Sequence, residues 1–223
     1  MSEKFNHGSR EFPWKFAEKR EVLFYPERPG GSEHHPVGGD VLEIGPGQGY
    51  LLLGQSKVNP DKRYVAVEFG KKRYYRLIDR MQKLGIENIQ LISGLAQTVL
   101  PRYMTLDTFE RVWILFPDPW PKARHAQHRL LTVDFLSVLA CILKLEGDLI
   151  IATDHRPYAE WIAGNGARVP ALVNTGAPFC DQSVIPDYIP TYFEKKWRGQ
   201  GKDIFFLRYI RNARPVCVPA KKA

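Results

Sequence analysis

The sequence predicts an α/β chain built on a doubly wound, mostly parallel sheet with an antiparallel closing strand. Three observations carry that expectation. Apolar runs of strand length alternate with helix-patterned stretches from Asp40 onward. A glycine-rich turn, Gly45-Pro46-Gly47-Gln48-Gly49, separates the first such run from its helix. The last candidate strands, Arg168 to Val173 and Ile204 to Ile210, read as an antiparallel closing pair.

Taken in order, residues 1–38 are polar and punctuated by Pro, Gly and His, and are expected to form an N-terminal arm, flexible in part. Residues 39–211 are expected to form the domain, and 212–223 a C-terminal tail. Val41 to Ile44 is the first strand, and Tyr50 to Lys57 opens the helix after it. Arg63 to Glu68 is the second strand. Lys71 to Leu84 is a cationic amphipathic helix that Gly85 is placed to stop. Ile89 to Ile92 and Arg111 to Phe116 are the third and fourth strands. Leu131, Phe135, Val138, Leu139 and Ile142 recur at helical spacing within Leu130 to Leu145, a core-packing pattern. Gly147 to Thr153 is the fifth strand, ending on Asp154. Residues 157–163 read as helical, and Gly164-Asn165-Gly166 as a break.

A chain of 223 residues suits one sizeable domain, and 44% hydrophobic content with 25% charged is ordinary for a globular protein. A net charge of +8 favours a polyanionic partner. Cys141, Cys180 and Cys217 show no CxxC spacing, so buried or free thiols in a reducing compartment are expected. The charged N-terminus does not resemble a signal peptide, and a cytoplasmic location is expected.

The chemistry is concentrated in Phe116-Pro117-Asp118-Pro119-Trp120-Pro121-Lys122-Ala123-Arg124-His125. Its prolines forbid helix and ladder alike and should hold the backbone extended, fixing a carboxylate and an indole at a strand's carboxyl end. Open α/β sheets bind ligands there. Lys122, Arg124 and Arg129 follow, a run suited to phosphates, while Trp120 is expected to pack. His125 and His128 have HxxH spacing, but no third ligand is evident, so no metal site is expected. In the first turn, Tyr50 stands where the dinucleotide fingerprint Gly-x-Gly-x-x-Gly would need its last glycine, which disfavours hydride transfer. Gly45, Gly47 and Gly49 would let a ligand approach the backbone, with Glu43 before them and Glu68 placed to accept ribose hydroxyls. Asp154 is either a second carboxylate at the site or the N-cap of the next helix.

Glu43-Ile44-Gly45-x-Gly47-x-Gly49, the Phe116 to His125 motif, Ala152-Thr153-Asp154-His155 and Thr191-Tyr192-Phe193-Glu194 together resemble the bacterial tRNA (guanine-N7-)-methyltransferase family. The resemblance spans roughly residues 40–210. It implies a Rossmann-like class I methyltransferase sheet, S-adenosyl-L-methionine as cofactor and tRNA as partner, with guanine 46 of the variable loop as the target. It implies Glu43, Glu68 and Asp118 as cofactor-contacting acids, with Asp118 also catalytic. Lys122, Asp154 and Thr191, Tyr192, Phe193 and Glu194 are implied in substrate binding, and the Arg124 to Arg129 stretch in RNA contact. Two departures stand out. Leu95 occupies the position where the family has an aspartate near the cofactor's adenine, and Tyr192 replaces a lysine. A tRNA-binding protein without catalysis and an exocyclic-amino methyltransferase are the alternative readings.

Overall fold

A computed structural model of the chain describes residues 22–25 and 37–215. One eight-stranded sheet runs through it in the order β1-β4-β3-β2-β5-β6-β8-β7. The strands are β1 (Leu23–Tyr25), β2 (Val41–Ile44), β3 (Tyr64–Glu68), β4 (Ile89–Ser93), β5 (Phe109–Leu115), β6 (Leu143–Thr153), β7 (Leu172–Asn174) and β8 (Phe205–Arg211). The helices are α1 (Tyr50–Val58), α2 (Lys71–Leu84), α3 (Ala96–Tyr103), α4 (Val133–Ile142), α5 (Arg156–Gly166) and α6 (Tyr192–Arg198). The strands β4, β3, β2, β5 and β6 pair in parallel, and β8 returns antiparallel to both β6 and β7. The doubly wound sheet with an antiparallel closing pair is therefore the sheet found.

Strand alternation splits the core in two. Leu42, Ile44, Val65, Val67, Val112 and Ile114 face α3, α4 and α5. Val41, Tyr64, Ala66, Trp113 and Leu115 face α1 and α2. Burial on both faces is why the central strands read as continuous apolar runs. The chain winds outward from β2 to β4, then returns to lay β5 beside β2. This reversal opens a crevice between the carboxyl ends of β2 and β5.

Several expectations are corrected. Leu23–Tyr25, inside the expected arm, pairs antiparallel with β4 as an edge strand. Val37 is also built in: its amide donates to the Tyr103 carbonyl at 2.5 Å, and its carbonyl accepts from Thr105. The rest of the arm, and residues 216–223 of the tail, lie outside the described residues. Gly164-Asn165-Gly166 does not break the chain but finishes α5. A Cβ on Gly166 would come within 2.5 Å of the Tyr209 hydroxyl, so this glycine serves a close helix–strand approach. The closing strand expected over 168–173 is shorter and later, Leu172–Asn174. Cys141 is disulfide-bonded, against the expectation of a thiol, whereas Cys180 is free.

Candidate active site

The glycine turn forms because three positions need a left-handed backbone. Gly45, Gly47 and Gly49 have φ of 71°, 59° and 71°. A Cβ at Gly45 would meet nothing within 4 Å, so that glycine leaves open space above the turn. Gly49 differs: a Cβ there would lie 2.4 Å from Leu77 of α2, so it also permits tight packing. Arg80 of α2 donates to the Gln48 carbonyl and lies over the Tyr50 ring, tying the turn down.

Two carboxylates underlie the turn. Glu43, near the end of β2, is 3% exposed. It accepts a backbone hydrogen bond from Leu52 in the first turn of α1, where helix amides otherwise lack partners. Its Oε2 has no partner among the described residues. Burial, with a smaller contribution from Glu68, pushes its carboxyl up to about 8, while the Leu52 bond opposes the shift. Glu68, ending β3, is 1% exposed and already engaged. Its Oε2 accepts from the Gly47 amide at 3.2 Å, and its Oε1 from the Gly70 amide at 2.6 Å and Arg73 Nε at 3.0 Å. Leu95 stands at the N-cap of α3, which has no side-chain cap.

Across the crevice, the segment after β5 is not uniformly extended. Phe116 and Trp120 take φ of 55° and 43°, a left-handed conformation that costs a bulky residue about 1–3 kcal/mol. Asp118 lies between them, exposed, with no hydrogen bond or ion pair among the described residues. The strained segment is held from outside. Arg129 donates from Nε to the Pro119 carbonyl at 3.0 Å and from Nη2 to the Trp120 carbonyl at 3.3 Å. Its guanidinium lies over the rings of Tyr158 and Trp161, 5.5 and 5.1 Å from their centroids. The Trp120 indole packs on His125 and His128. Lys122 and Arg124 remain exposed at the start of the 3-10 turn Ala123–His128.

Asp154 follows β6, beside the end of β5. It is not the helix cap: His155 is, accepting from the Tyr158 amide through Nδ1 at 3.1 Å. Asp154 Oδ2 instead accepts from Lys202 Nζ at 2.6 Å, and Lys202 lies 3.8 Å above the Trp197 ring. In the 191–194 segment, Thr191 caps α6 through the Glu194 amide. Glu194 is 1% exposed and accepts from Tyr188 Oη and from Arg198 Nε at 2.8 Å. Burial, then the Glu194 bond, pushes the Tyr188 phenol well above its ordinary range. Tyr192 and Phe193 are left exposed, with Phe193 6.3 Å from Phe116. Arg73, Lys202 and Tyr188, which hold these acids, were not singled out from sequence. Lys202 is 48 residues from Asp154, and no local pattern announces the pair.

A family model described as "Putative methyltransferase" matches residues 38–207. A tRNA (guanine-N(7)-)-methyltransferase from Nitrosomonas eutropha is 36% identical over 174 residues, covering 78% of this chain and 76% of that protein. One of the same name from Chlamydia abortus is 29% identical over 209 residues, covering 93% and 85%. Among solved structures, the 16S rRNA methyltransferase KamB matches with a TM-score of 0.57 at 15% identity, over 81% of this chain and 91% of that one. That likeness speaks for the fold alone. The family model and the identity to the Nitrosomonas protein together place this chain in the tRNA (guanine-N(7)-)-methyltransferase family.

Proposed function

We propose that this protein methylates N7 of a guanine in tRNA, at position 46 of the variable loop, with S-adenosylmethionine as methyl donor. One juxtaposition supports the reading best. A buried carboxyl with an unsatisfied oxygen, Glu43, lies under an open glycine turn, and an exposed carboxylate, Asp118, lies at the end of the adjoining strand. The unsatisfied Oε2 of Glu43 fits a cationic ligand group, and the open face of Gly45 fits a ligand against the backbone.

When bound, the donor supplies an electrophilic methyl group on a positively charged sulfur. Glu43 would hold the donor's cationic end, losing its proton to solvent as it does so. Glu68, oriented by the Gly47 and Gly70 amides, would accept hydrogen bonds from the ribose hydroxyls. Leu95 offers the adenine an apolar contact where relatives would offer a carboxylate. Guanine N7 carries a lone pair and no proton, so Asp118 acts without removing one. It orients the guanine edge and stabilises the positive charge that develops on the purine. Asp154, steadied by Lys202, does the same from the next strand. Arg129 keeps Asp118 in place by bracing its loop. Lys122 and Arg124 bind phosphates, and Tyr192 and Phe193 present rings to the RNA over a base fixed by Thr191 and Glu194.

The test is methylation of an unmodified tRNA transcript with labelled donor, followed by nucleoside mapping. Label is expected in 7-methylguanosine, and it should vanish when guanine 46 is replaced by adenine. Label retained after that replacement would overturn the position. Tight tRNA binding without label would favour a binding protein that has lost catalysis.

A further inference from the structure

The cationic helix α2 takes only a small part in the site described above. It holds six cations, Lys71, Lys72, Arg73, Arg76, Arg80 and Lys83, against the single acid Asp79, so this one helix carries a net +5 of the chain's +8. Three of the six are engaged. Arg73 bonds Glu68, Arg80 bonds the Gln48 carbonyl, and Lys83 pairs with Asp79 at 2.9 Å. Lys71, Lys72 and Arg76 are exposed and make no side-chain hydrogen bond or ion pair among the described residues. Tyr75, 55% exposed, sits among them.

A helix face that merely meets water mixes signs, because oppositely charged side chains four apart stabilise it. Here the spacing works against the helix. Lys72, Arg76 and Arg80 are like charges at successive i,i+4 positions. Lys71, Lys72 and Arg73 stand in the first turn, where the helix dipole is positive, with no acid there and no side-chain cap. A polyanion lying along this face would reverse both penalties. α2 begins just beyond Glu68, and β3 and β5 run parallel with β2 between them, so their carboxyl ends lie roughly 10 Å apart on one edge of the sheet.

We propose that Lys71, Lys72, Tyr75 and Arg76 form a second tRNA-docking surface, across the crevice from Lys122 and Arg124. The cations take backbone phosphates, and Tyr75 stacks on an unpaired base. The guanine would thus be approached by an RNA strand gripped on both sides of the methyl-transfer point. This surface rests on the tRNA reading above.

The experiment measures tRNA affinity against salt for the full chain and for the Lys71→Gln/Lys72→Gln/Arg76→Gln variant. Removing three phosphate contacts should make the log–log salt dependence shallower by about 2. The Lys71→Gln/Lys72→Gln variant should fall between that and wild type. Helix content by circular dichroism and S-adenosylmethionine affinity by calorimetry should stay near wild type, because the removed charges oppose the helix and touch no site carboxylate. Tyr75→Ala should weaken binding about fivefold with the slope unchanged, and wild-type affinity there would overturn the stacking contact. A triple variant that binds tRNA with the wild-type slope overturns the surface and leaves the enzyme reading intact. A wild-type chain with no affinity for tRNA overturns both.

Discussion

Glu43 and Glu68, at the ends of β2 and β3, are 3% and 1% exposed and are tied to backbone amides. Asp118, after β5, is exposed and bonded to nothing among the described residues. The first two are held by regular structure: a strand end, a glycine turn and two helix beginnings. The third is held by strain, between left-handed Phe116 and Trp120 and under the Arg129 brace. Under the proposed function, this difference would suit the two ligands. A small cationic donor is recognised by burial, where one unpaired oxygen counts for much. A large RNA cannot enter a buried pocket, so the carboxylate that meets it must project from a rigid loop.

Substitutions should separate the two halves. The largest effect is expected from Asp118→Ala, which should lower turnover by at least ~100-fold while leaving tRNA affinity within a few-fold. Single-turnover rates beside equilibrium binding check this. Glu43→Gln should weaken S-adenosylmethionine binding by about 10- to 100-fold, the worth of a hydrogen bond to a charged group, with tRNA binding unchanged in calorimetry.

Without donor, Glu43 should also make stability depend on pH. Its carboxyl is raised from 4.5 to about 8, so the native state keeps a proton that the unfolded chain loses. That contribution to stability is complete below about pH 4.5 and is lost as pH rises through about 8. The slope is at most about 1.4 kcal/mol per pH unit. Denaturant titrations should show Glu43→Gln flattening this window, and donor binding at pH 7 should release about one proton. Equal heats in buffers of different ionisation enthalpy would count against that release.

On the reacting side, Arg124→Ala and Arg129→Ala should part company. Arg124→Ala should weaken tRNA binding and make its salt dependence shallower by about 1. Arg129→Ala should lower kcat about tenfold by freeing the Asp118 loop, with the salt slope unchanged and partial rescue in Arg129→Lys. The smallest effect belongs to Leu95. Leu95→Asp would supply α3 with the N-cap it lacks and should raise stability by about 1 kcal/mol, read from denaturant midpoints.

Much of this was legible because the signals were local. The glycine turn, the strand lengths and the Phe116 to His125 motif each follow from residues a few positions apart. What escaped depends on residues brought together by folding. Val22-Leu23-Phe24-Tyr25 has the apolar, aromatic content of a strand, but only pairing with β4 makes it one. Gly166 reads as a breaker until Tyr209 is seen against it. Thr191-x-x-Glu194 is a capping-box spacing that could have announced α6. Yet Glu194 turns inward to Tyr188 and Arg198, which the motif alone does not reveal. The extended backbone expected from the prolines fails at Phe116 and Trp120, which directly precede Pro117 and Pro121 yet take positive φ; the Arg129 bonds that brace this turn come from a residue outside the motif.

The most direct measurement compares two transcripts of one tRNA, one ordinary and one carrying 7-deazaguanosine, each incubated with the protein and labelled S-adenosylmethionine. Replacing N7 by a C–H group removes the acceptor and little else. 7-Methylguanosine is expected in the first transcript and no label in the second. Equal label in both would contradict methylation at N7.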